Sequence, residues 1–85
     1  MSGGEKALAG VVLGLTSLGM LIGAGANLQG SNSDEKGGYI VGVVITSIAA
    51  FGCLLGQLVG VPTELSIAAN LLHIAICGFV INKTQ

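Results

Sequence analysis

The chain has 85 residues, 52% of them apolar and 8% charged, with a net charge of −1, whereas ordinary globular chains carry roughly 25% charged residues. This length allows one small domain at most and is too short for a water-soluble enzyme with a large core. Three basic residues, all lysine, leave neither a basic nucleic-acid footprint nor a polybasic lipid-binding patch.

The charges cluster at Glu5–Lys6, at Asp34–Lys36, at Glu64 and at Lys83, so residues 7–33, 37–63 and 65–82 are uncharged. A membrane-spanning helix takes about 20 mostly apolar residues, with roughly 17 as the lower limit. The pattern predicts a small all-α polytopic integral membrane protein with three transmembrane helices at about 8–27, 39–60 and 64–82. A two-span variant is the alternative. A polar loop at 28–38 and a tight turn at 60–63 separate the helices in a single membrane domain.

The first helix opens "MSGGEKALAGVVLGLTSLGMLIGAGA", and Ala24-Gly25-Ala26 resembles a signal-peptidase site. We read residues 1–26 as the start of a helix, the alternative being an uncleaved signal-like anchor. Gly10 and Gly14 fall on one side of this helix and Gly19 and Gly23 on the opposite side. The run "GAGAN" follows an apolar helix rather than a strand and lacks a G-K-[ST] continuation, so it is not a phosphate loop.

The second helix carries a line of small residues: Gly38, Gly42, Ala49, Gly52, Gly56 and Gly60 lie within about 40° of one another's mean direction, interrupted only by Ile45. Small residues four apart let backbones or flat ligands approach closely in lipid. The stripe is therefore expected to be an interface, with Ala50, roughly 120° round the helix, pointing elsewhere. Pro62 biases Val61 away from helix, Thr63 is the expected N-cap of the third helix, and Glu64 follows in its first turn, where the dipole favours an anion. Lysine counting, with Lys36 and Lys83 opposite Lys6, puts the C-terminus on the cytoplasmic side or its equivalent.

Helix 3 holds the single histidine. Ser66, Asn70, His73 and Cys77, spaced 4, 3 and 4, project into an arc of about 60°. Polar side chains facing acyl chains are costly, so this stripe is expected to face protein, pigment or water. One reading is interhelical hydrogen bonding, with Gln57 and Asn27 as candidate partners. The other makes His73 an axial ligand of a tetrapyrrole metal, since neutral imidazole is a common metal ligand. One histidine suffices for a chlorophyll magnesium. A six-coordinate haem needs a second strong ligand, and only Met20 and Met1 are available, which disfavours haem. His73 is expected to be neutral, because an imidazolium far from any carboxylate would carry a desolvation cost of several kcal/mol.

Neither a proton relay nor a rotary-ATPase ring subunit is supported, for want of a membrane-embedded carboxylate. No nucleophile-base-orienter set can be assembled, so no enzymatic activity is expected. Cys53 and Cys77 read as small apolar packing residues, and without a C-x-x-C pair they give no metal or redox motif.

Gly60-Val61-Pro62, Glu64-Leu65, His73-Ile74 and Gly78-Phe79-Val80 occur in an order and spacing that resembles the last helix of the small photosystem I reaction-centre subunit K. This chain differs in having Leu72 before the histidine, Asn82-Lys83 at the close, an extra Thr63, and three expected spans against that family's two. The resemblance implies a peripheral thylakoid subunit that packs against the photosystem core and antenna and helps hold chlorophyll a and carotenoid, with His73, Asn70 and Ser66 on the pigment side. The expected function is a non-catalytic accessory subunit of a larger membrane complex. The alternative is a self-assembling conjugative-pilin-like or holin-like subunit. The expected surroundings are the bilayer and other membrane subunits, with no nucleic acid and no soluble substrate.

Overall fold

The computed structural model describes residues 3–32 and 34–85. Met1, set aside above as an iron ligand, Ser2 of the signal-like segment, and Ser33 of the expected loop lie outside that range. Three helices account for almost all of the described chain: α1 (Gly3–Gln29), α2 (Lys36–Gly56), which tightens into a 3₁₀ turn (Gln57–Val59), and α3 (Thr63–Thr84). The apolar stretches Gly3–Gln29, Lys36–Val59 and Thr63–Thr84 are 27, 24 and 22 residues long. At 1.5 Å per residue even the shortest reaches about 33 Å, enough for a hydrocarbon layer of about 30 Å. The bundle measures 45 × 17 × 14 Å and exposes Leu8, Leu15, Ile22, Ile48 and Leu55 over its sides, as lipid requires. This is a small all-α polytopic membrane protein.

The helices run up, down and up. Ser17 meets Asn70, and Asn27 meets Ile81, so α1 and α3 are parallel. Ala50 meets Asn70 and Ser47 meets His73, so α2 is antiparallel to α3. α3 packs on both neighbours. α1 and α2 approach each other where Gly10 and Gly14 leave room for Leu54 and Gln57. The apolar core, Ala24, Leu28, Val43, Cys77 and Val80, fills the end of the bundle nearest the loop.

That same end is dressed for the interface. The Tyr39 hydroxyl donates to Glu35 Oε2 at 2.6 Å, the Tyr39 and Phe79 rings meet edge-on at 6.0 Å, and Lys83 Nζ lies 5.7 Å from the Phe79 centroid. Aromatic rings and a snorkelling lysine are the usual furniture of the headgroup level.

Three expectations about local structure are corrected. The expected loop at 28–38 shrinks to 30–35, because α1 runs on through Leu28 and Gln29 and α2 already begins at Lys36. Leu28 is buried and so helps hold that last turn of α1. Thr63 does not cap α3: it is the first helical residue, the extended Pro62 (φ −60°, ψ 142°) occupies the cap position, and no side chain bonds the free N–H groups. A side chain inside the helix points back along it and is badly placed to cap.

The third correction concerns Gly56 and Gly60, which serve the turn rather than a helical stripe. Gly60 adopts φ +108°, while Val61 N–H donates to Gly56 O at 3.0 Å and Gly60 N–H to Gln57 O at 3.5 Å. Together these form a Schellman closure, whose left-handed residue favours glycine. Val61 folds back so closely that a Cβ placed on Gly56 would lie 2.5 Å from its Cγ2.

Candidate functional site

The fully buried polar side chains among the described residues, Ser17, Ser66, Asn70 and His73, gather in one column along α3. Ser66, Asn70, His73 and Cys77 are all buried and face the other two helices. Asn70 is the hub. Its Oδ1 accepts from the Ser17 hydroxyl of α1 at 2.8 Å, and its Nδ2 donates to Ala50 O of α2 at 3.2 Å and to Ser66 O at 2.8 Å. One side chain thus ties three helices together, and each of its polar atoms has a partner.

One turn further along, His73 Nε2 lies 2.8 Å from Ser47 Oγ and 3.4 Å from Cys77 Sγ. The ring also meets Phe51 edge-on, with centroids 5.7 Å apart. Nδ1 of His73 is buried with no hydrogen-bond partner among the described residues, as is Ser66 Oγ. An unmet buried polar group costs about 1–3 kcal/mol, so this column trades some stability for polarity.

The sequence reading named the polar stripe but misplaced its partners. Asn27 donates to Ile81 O at 3.3 Å, beyond the stripe, and Gln57 lies beside Gly10 near the opposite end. The partners are Ser17 and Ser47 instead. Each follows a threonine, in the pairs Thr16-Ser17 and Thr46-Ser47, and each threonine returns its hydroxyl to the carbonyl four residues earlier: Thr16 to Val12 at 2.7 Å and Thr46 to Gly42 at 2.8 Å. The repeated Thr-Ser pair was the available signal. It is a quiet one, since a helical hydroxyl can always satisfy itself on its own backbone.

The small residues also sort differently from the expected stripe. Ala50, expected to point away, is fully buried, and its carbonyl accepts from Asn70. Gly42 faces Ile76 of α3, whereas Gly38 and Gly52 meet nothing within 4 Å. α2 therefore turns Val43, Ser47 and Ala50 inwards and the line Gly38, Ala49 and Gly52 outwards. On α1, Gly23 faces Ile81, and Gly19, like Gly38, has open space.

The fit of a tetrapyrrole to His73 can be judged from this packing. The imidazole is enclosed on all sides, its Nε2 is within hydrogen-bonding distance of Ser47, and its Nδ1 is buried. No nitrogen is presented to a flat macrocycle at the lipid face, so His73 as packed does not fit an axial ligand. Among the described residues no group of three or more His, Cys, Asp or Glu side chains could hold a metal ion. Chemically the column can hydrogen-bond and pack, and it carries no carboxylate. Comparison with protein-family models, with curated proteins and with solved structures gives no match.

Proposed function

We propose that this chain is a non-catalytic helical subunit of a larger membrane assembly, docking through the outer face of α2. The observation that carries this reading is the outward line Gly38, Ala49 and Gly52, with open space over both glycines. Lipid association of helices rests on close van der Waals approach, and small residues are what permit it. The polar column, turned inwards, ties the three helices together through Asn70 and leaves that face free for a partner.

The particular assembly suggested by the α3 resemblance is photosystem I in the thylakoid membrane, with this chain as a peripheral, subunit K-like component beside chlorophyll and carotenoid. In that setting the pigment contacts lie outside the polar column, because His73 is committed to Ser47.

The test is the mass and composition of the native particle extracted in mild detergent, together with its absorption spectrum. A defined complex of several different chains supports the proposal, and chlorophyll bands support the photosystem version of it. Gly52→Leu should lower retention of this chain in the particle. A homopolymer would overturn the accessory-subunit reading in favour of a self-assembling pilin-like or holin-like protein. Unchanged retention of Gly52→Leu would remove the outer face of α2 from the interface.

A further inference from the structure

Far from the aromatic end, where α2 turns into α3, the surface of the bundle forms an open cavity of about 490 Å³. Two stretches distant in sequence build it: Lys6 from the start of α1, and the segment that runs from Gln57 and Leu58 of the 3₁₀ turn through Val61 and Pro62 to Glu64 in the first turn of α3. The uncharged runs of α1 and α3 begin at Ala7 and Leu65, so Lys6 and Glu64 mark the level at which hydrocarbon gives way to headgroups. Leu58 is 86% exposed beside the cavity, as a residue meeting the upper acyl chain would be.

Two opposite charges line this one cavity, and neither Lys6 nor Glu64 is engaged in a hydrogen bond or ion pair among the described residues. A ligand that satisfies both must carry an anion and a cation a few bonds apart. We infer that the cavity binds the headgroup of a zwitterionic phospholipid with a primary ammonium, the ethanolamine class, with its phosphodiester at Lys6 and its ammonium at Glu64.

The choice among lipids follows from donor chemistry. A primary ammonium donates charge-assisted N–H hydrogen bonds to a carboxylate, whereas a trimethylammonium has no N–H to give. An anionic glycerol headgroup would match Lys6 and be repelled by Glu64. The source is a lipid rather than a soluble phosphate ester, because Lys6 and Glu64 sit at the ends of the uncharged runs that begin at Ala7 and Leu65, and apolar Leu58, Val61 and Pro62 share the lining with the two charges.

The experiment is native mass spectrometry of the full chain in detergent, titrated separately with ethanolamine, choline and glycerol phospholipids of identical acyl chains. Wild type should retain the ethanolamine lipid over the other two by up to about fivefold, the scale of one exposed ion pair. Lys6 and Glu64 are both exposed, so their substitution leaves the packed core intact. Glu64→Gln should bring the ethanolamine-to-choline ratio close to one, and Lys6→Gln should weaken both zwitterionic lipids together. Equal retention of all three lipids by wild type overturns the inference, as does an ethanolamine preference that survives Glu64→Gln. Displacement of the lipid by an equal concentration of acyl-free glycerophosphoethanolamine would overturn the lipid assignment.

Discussion

Removing the Asn70 side chain should loosen all three helices at once. Asn70→Ala deletes two interhelical hydrogen bonds, to Ser17 at 2.8 Å and to Ala50 O at 3.2 Å. Such bonds average about 0.6 kcal/mol each in membrane proteins, so together they contribute roughly 1 kcal/mol. The void left at a fully buried position adds to that, giving an expected loss of about 1–2 kcal/mol. The cost stays moderate because the stranded Ser17 hydroxyl can turn to its own backbone, as Thr16 does with Val12 at 2.7 Å. Ser17→Ala alone should cost about 0.6 kcal/mol, and a double-mutant cycle should return a coupling of that size. The chain contains no tryptophan, so the readout is alkylation of the buried Cys77 across a titration of mixed micelles with SDS, in a Cys53→Ala background. A coupling indistinguishable from zero, with Asn70→Ala as stable as the parent, would refute the hub role of Asn70.

Further outcomes follow from the same packing. Gly56→Ala should destabilise by about 1–3 kcal/mol, since its new Cβ would meet Val61 at 2.5 Å, whereas Gly52→Ala, in open space, should stabilise α2 by up to about 1 kcal/mol; the same micelle titration compares them. Ala50→Leu should disrupt the bundle outright, because the position is fully buried, and loss of Cys77 protection would report it. His73→Gln should keep a contact with Ser47 and change stability by less than about 1 kcal/mol, while His73→Leu should insert normally but lose that contact; equal stability of the two would show that the Ser47 contact contributes nothing. Single cysteines at Asp34 and Gln85 should label from the same side of the membrane, and labelling from opposite sides would sink the three-span topology.

The amino-acid sequence by itself determined the parts of this protein in which charge meets lipid. Three uncharged runs bounded by Glu5-Lys6, Asp34–Lys36, Glu64 and Lys83 leave little freedom over where helices cross, and Gly60-Val61-Pro62 can do little except turn. The stripe Ser66, Asn70, His73 and Cys77 was equally readable, since a polar face in hydrocarbon has only one favourable direction, inwards. What the tertiary structure alone decided was the orientation of everything apolar or small. In water a hydrophobic face must be buried, and its periodicity reveals the core. In lipid a valine or glycine is nearly as well placed outside as inside, so the line Gly38, Ala49 and Gly52 carries no label saying which way it points. Only the docking of α3 showed that α2 buries Val43, Ser47 and Ala50 and that Ser17 and Ser47 are the hydroxyls that meet the polar stripe, and only the folded turn showed that Gly56 leaves room for Val61. A serine that can bond its own helix, and an alanine at ease in either medium, acquire a direction only when a neighbouring helix supplies the atom they face.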